Sequence, residues 1–246
     1  MNNTIGTFTR PWADISFEAA LKGAKAAGFD GLGMMRQRLE DGELHHLLTE
    51  ESTPEDARKL GAKIRDAGLE PLVGFGKPTP KLVDLVVEAG FSYLLGAGGY
   101  DDDLVAAVRR AEEKGIIVMI KPHKGPCPTG IECMDVAKKI DSPAFGIAYD
   151  PGNVMNAGGK DPGDEIEEVA PFVKAVCAKD WKGDTQFITP GEGDVDFKTV
   201  FETLARHGFT GPVLRETVVK GDEAQVNASA KRAHDFLAGL LSGIGG

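Results

Sequence analysis

EEKGIIVMIKPHKG, residues 112–125, holds a helix end, a strand and a cluster of charge. Gly115 stands where a helix needs a left-handed residue to stop. The apolar run Ile116–Ile120 suits a strand buried on both faces. Lys121, Pro122, His123 and Lys124 follow at once. The same unit recurs in KAAGFDGLGMM (25–35), RDAGLEPLVGF (65–75), VEAGFSYLLG (87–96) and ARHGFTGPVLRE (205–216), with Gly28, Gly68, Gly90 and Gly208 in the place of Gly115. IGTF (5–8), FGIAY (145–149) and VKAVCA (173–178) add three strands without the glycine, which makes eight.

Helical segments lie between the strands. Ser16 caps FEAALKGAKAA, and Thr53-Pro54-Glu55-Asp56 sets a cap, a proline at the first helical position and an acid three residues after the cap. Asp161-Pro162 opens DEIEEVAPF, which Pro171 ends or kinks. Asp196 starts FKTVFETLARH, ELHHLL (43–48) reads as helical, and the last helix runs from Glu223 to Leu241. Strand–helix alternation repeated eight times predicts a parallel sheet. In 246 residues it predicts one (β/α)8 TIM barrel spanning 1–246. An open dinucleotide-binding sheet is disfavoured, because no GxGxxG follows the first strand.

The formal net charge is −10, which argues against nucleic acid and anionic membranes as partners. No apolar run is long enough for a transmembrane helix, and MNNTIGTFTRPW lacks the basic start and apolar stretch of a signal peptide. Cys127, Cys133 and Cys177 are odd in number and show no CxxC spacing. They read as reduced thiols of a cytoplasmic protein.

Barrel enzymes carry their chemistry at the C-terminal ends of strands. Those ends are Arg36 after strand two, Lys121-Pro-His123 after strand five, Asp150-Pro-Gly-Asn153 after strand six, Lys179-Asp180 after strand seven and Arg215-Glu216 at strand eight. The ends of strands one, three and four (TFTR, GFGK, GAGGY) read as mild, although the glycines of GAGGY (96–100) would let a phosphate approach backbone amides. Lys121 and His123 are therefore expected to face a shared pocket. Arg36 suits a bidentate grip on a carboxylate or phosphate.

GIAYDPGN (146–153), AVCAKD (175–180), PGEGDVDF (190–197) and GFTGPVLRE (208–216) resemble the xylose isomerase-like TIM-barrel superfamily, which includes the sugar phosphate isomerases and epimerases. The resemblance implies a small carbohydrate substrate, often a homodimer, and a divalent metal held by Glu, Asp, His and Glu. Asp150 and Glu216 match two ligand positions, Lys121 stands at the first Glu and Cys177 at the His. His123 matches a substrate-contacting position and Lys179-Asp180 the strand-seven KD. Two readings stay open. Either Lys121 does the metal's work, or Asp150, Glu216, His123 and Cys177 form a rebuilt site for Mn, Mg or, with a thiolate, Zn.

The expected activity is an isomerase or epimerase acting on a small ketose, sugar phosphate or sugar acid through an enediolate. Glu216 is the expected base and Asp150 a ligand or second acid/base. Lys121 and His123 would stabilise the oxyanion, while Lys179, Asn153 and Arg36 would bind substrate. The alternative is a lyase, a β-keto sugar acid decarboxylase or retro-aldol enzyme, using Lys121 as Schiff base or carboxylate anchor, or a rebuilt metal site, to stabilise the enolate.

Overall fold

The computed structural model describes residues 1–39, 41–96, 99–185, 188–217, 219 and 221–244. Eight parallel strands close on themselves: β1 (Ile5–Phe8), β2 (Gly31–Gly33), β3 (Glu70–Phe75), β4 (Tyr93–Gly96), β5 (Ile117–Ile120), β6 (Phe145–Tyr149), β7 (Val173–Ala178) and β8 (Val213–Arg215). The ring is sealed where Ile5, Gly6 and Thr7 pair with Val213, Leu214 and Arg215. Each strand precedes one helix: α1 (Phe17–Ala27), α2 (Pro54–Asp66), α3 (Pro80–Ala89), α4 (Asp102–Lys114), α5 (Gly130–Ile140), α6 (Ile166–Val169), α7 (Phe197–Arg206) and α8 (Glu223–Gly243).

Local chemistry sets these boundaries as the sequence predicts. Gly28, Gly68, Gly90, Gly115 and Gly208 all take positive φ, so each helix–strand turn is made without a Cβ penalty. Ser16, Asp101, Asp196 and Asp222 accept hydrogen bonds from the first turns of α1, α4, α7 and α8, and Thr53 with Asp56 forms a capping box on α2. Pro171 lies in a 3-10 turn that ends the short α6 and leads into β7.

ELHHLL is not helical. Leu44–His45 pairs antiparallel with Gln37–Arg38 in a small ribbon after β2. The 3.6-residue pattern was too short there to outweigh ribbon pairing.

Strand alternation divides the core into two. Phe8, Leu95, Met119, Ala148, Ala175, Cys177 and Leu214 fill the barrel interior. Val118, Ile120, Ile147, Tyr149, Val176 and Val213 face the helices. Side chains two residues apart share a face. Counting on from Met119, Ala148, Cys177 and Leu214 therefore points Lys121, Asp150, Lys179 and Glu216 into the barrel at its C-terminal end.

Candidate active site

Those four residues form a closed alternating quartet of charge. Lys121 Nζ lies 2.6 Å from Glu216 Oε2 and 3.3 Å from Asp150 Oδ2. Lys179 Nζ lies 2.9 Å from Glu216 Oε1 and 3.2 Å from Asp150 Oδ2. All four are buried, and their formal charges sum to zero. Asn153 completes the arrangement: its Oδ1 accepts from Lys179 Nζ at 3.0 Å, and its Nδ2 donates to the Pro122 carbonyl at 2.8 Å. The DPGN turn can sit this close because position 152 is glycine. A Cβ there would come within 2.7 Å of the Lys179 carbonyl oxygen.

Burial by itself disfavours both kinds of charge, and the quartet reverses this. It pulls the Lys121 ammonium down, but Glu216 and Asp150 outweigh it and hold its pKa above the ordinary lysine value. It pushes the Glu216 carboxyl up, yet Lys121 and Lys179 pull harder and keep it well below the usual carboxylate range. The linkage signs follow. Glu216 contributes stability that is present above its unfolded pKa of about 4.3 and lost as pH falls through the folded value. Lys121 contributes stability that is complete below about 10.4 and lost as pH rises through its folded value. Thermal melts of wild type and Lys121→Met should therefore differ most between about pH 5 and 10 and converge at both extremes. A gap that grows below pH 4 would contradict the assignment.

Asp150, Cys177 and Glu216 bring one donor atom each within 4.8 Å of one another, the part of the expected metal site that the fold assembles. His123 is not in this cluster. Its ring is exposed at the rim, and Nδ1 lies 3.2 Å from the Lys124 carbonyl. The donor set does not fit a divalent cation. Both carboxylates are bridged by two ammonium groups, so an ion bound there would sit beside two positive charges. Burial also pushes the Cys177 thiol well above its ordinary pKa, with Lys121 opposing only in part, so forming the thiolate that zinc requires carries an added cost here. Elemental analysis of purified protein should find no stoichiometric Mn, Mg or Zn, and EDTA should leave the melting temperature unchanged. A bound ion at 100 times its Kd would add about 2.7 kcal/mol, an easily seen shift.

A cavity of about 860 Å³ opens above the quartet, and Lys121, Lys179, Glu216 and Asn153 form its floor. Asp150 lies beneath the floor and does not line it. His123 and Arg36 stand on the wall, so the cavity gathers the expected residues apart from Asp150 and Cys177. Two of the strand ends that read as mild, those of strands one and three, are not so. Arg10 and Lys77 line the same cavity, as do His46 and Lys124. Loop residues carry no periodicity to reveal such convergence. Of the expected strand-end pairs, Asp180 and Arg215 point away. Asp180 accepts from the backbone N–H groups of Trp181, Gly191, Gly193 and Val195 and so folds the loop after β7. Arg215 lies under α8, where Nη2 donates to Ser229 Oγ at 3.0 Å and the guanidinium faces Trp12. Burial, with Arg232 nearby, pulls Arg215 down to about 9. Of the GAGGY glycines expected to let a phosphate approach, Gly98 lies outside the described residues, and Gly96 and Gly99 do not line the cavity.

The profile of the xylose isomerase-like TIM barrel family matches residues 99–240. The chain belongs to this family. It is 26% identical over 164 residues to the rhizopine catabolism protein MocC of Rhizobium meliloti, covering 59% of this chain and 50% of that one. It is 28% identical over 148 residues to the L-ribulose-5-phosphate 3-epimerase UlaE of Escherichia coli K12, covering 59% and 51%. The chain thus matches about half the length of these curated relatives. Across the whole fold it superposes on D-psicose 3-epimerase from Clostridium cellulolyticum H10 with a TM-score of 0.77 at 15% identity, covering 97% of this chain and 99% of that one. No helix among the described residues is long and apolar enough to cross a membrane.

Proposed function

We propose that this member of the xylose isomerase-like family is a carbohydrate isomerase or epimerase that works through an enediolate, with the ammonium pair Lys121 and Lys179 as its electrophile. The observation that carries the reading is an ionised carboxylate flanked by two ammonium groups on the floor of a barrel-mouth cavity. The epimerases among the relatives support the same reaction class.

In this reading Glu216 takes the proton from the carbon next to the substrate carbonyl. The C–H electron pair forms the C=C bond, and the carbonyl π pair moves to oxygen. Lys121 and Lys179 stabilise the enediolate oxygen, as preorganised donors do where charge develops. Return of the proton to the former carbonyl carbon, with the proton of the adjacent hydroxyl passing to the enediolate oxygen so that a carbonyl forms there, gives the isomer. Return to the opposite face gives the epimer and needs a second group, for which His123 on the cavity wall is the candidate. Asp150, beneath the floor, holds the two lysines in place; it is not the second acid/base.

The Schiff-base form of the lyase alternative is disfavoured. It needs a neutral amine, and the Glu216 and Asp150 charges hold the Lys121 proton above the ordinary lysine value. The test is exchange of solvent deuterium into carbon-bound positions of a panel of ketoses, ketose phosphates and sugar acids, read by NMR. Stereochemical or positional conversion should accompany exchange. A folded protein that exchanges no member of the panel would end this reading.

A further inference from the structure

The barrel mouth carries a charge opposite to that of the molecule. The chain has a formal net charge of −10, yet Arg10, Arg36, Lys77 and Lys124 line the cavity above the quartet, with Asp14 the one described acid beside them. Lys77 is tied to Asp103, and Asp14 to Arg38. Arg10, Arg36 and Lys124 remain as cations that no described carboxylate compensates.

Arg36 is held in place at the cavity wall. Its Nε donates to His46 Nε2 at 3.2 Å, and the His46 ring stacks on Phe75 with centroids 5.5 Å apart. Burial and the Arg36 charge lower the His46 pKa, so the ring is a neutral acceptor at pH 7. With Nε engaged, the two Nη groups make no hydrogen bond among the described residues. They are the donors that suit a bidentate oxyanion.

We propose that Arg36, with Arg10 and Lys124, binds the phosphate of a phosphorylated ketose whose carbonyl end reaches the quartet. A phosphate monoester carries about −1.5 to −2 charge at pH 7, which matches three uncompensated cations better than a single carboxylate does. The proposal rests on the isomerase or epimerase reading, and the two fail separately.

Two measurements test it. Calorimetry follows inorganic phosphate binding to wild type, Arg36→Met and Lys59→Met, the last being the same charge change on α2 outside the cavity. Solvent-exchange kinetics compare matched ketopentoses and ketohexoses with and without a terminal phosphate, together with sugar acids. Phosphate is expected to bind once per chain. Arg36→Met should weaken it about 10- to 100-fold, the range for a hydrogen bond to a charged group, and Lys59→Met should leave it within about twofold. The phosphorylated ketose should be exchanged with at least about 100-fold higher kcat/KM than its neutral partner, and Arg36→Met should act on it mainly through KM. Equal turnover of neutral and phosphorylated sugars, a preference for sugar acids, or phosphate binding indifferent to Arg36 would each overturn the proposal while leaving the reaction class intact. Phosphate binding that depends on Arg36, with no exchange in any compound, would keep the anion site and remove the reaction class.

Discussion

Glu216→Gln should lower solvent exchange into the substrate by about 10²–10⁴-fold, the usual contribution of a positioned general base. The amide keeps the shape of the side chain but cannot accept the proton. The low pKa of Glu216 makes it a weak base in the resting site. In the proposed reaction that weakness is offset as the developing enediolate takes over ammonium protons that Glu216 held, which frees the carboxylate as the carbon acid ionises. Lys121→Met should cost about 10²–10³-fold, the scale for removing one oxyanion donor. Lys179 cannot replace it fully, because one of its protons is directed to Asn153. Both variants should still bind inorganic phosphate at the mouth, which separates a chemical defect from an unfolded barrel. Exchange that is within about threefold of wild type in both variants would remove these residues from the chemistry, since it falls far below the general-base range.

The quartet also predicts an unusual stability pattern. Lys121→Met leaves two buried carboxylates facing one ammonium, and an uncompensated buried charge costs about 3–5 kcal/mol. At about 2–4 °C per kcal/mol for a chain of this size, the melting temperature should fall by about 6–20 °C. Adding Glu216→Gln removes the surplus negative charge and leaves the Asp150–Lys179 pair, 3.2 Å apart, with Asn153 beside it. The double variant should therefore melt above Lys121→Met alone, with a coupling of about 0.5–3 kcal/mol. If the two single losses simply add, the four residues do not act as one electrostatic unit.

How far the site was legible follows from strand geometry. The strand-end pairs Lys179-Asp180 and Arg215-Glu216 each offer two polar residues. Only the one in phase with Cys177 or Leu214 turns inward. Lys121 was legible as a departure from the family's carboxylate. That it neutralises Asp150 and Glu216 jointly with Lys179 was not, because the contact joins strands up to 95 residues apart. His46 was hidden for a different reason. Its segment was read as helical, and only the ribbon pairing brings it against Phe75 and Arg36.

Local physics settles what lies close in the chain. Left-handed glycines, helix caps and buried apolar runs each act over a few residues, so eight repeats of them specify eight strands, their helices and the end of the barrel where charge collects. Whether a cation site or a lysine pair occupies that end depends on distances between β5, β6, β7 and β8, which barrel closure alone establishes. The same closure draws Arg10, Arg36 and Lys124 from separate loops around one opening and gives a basic mouth to an acidic chain.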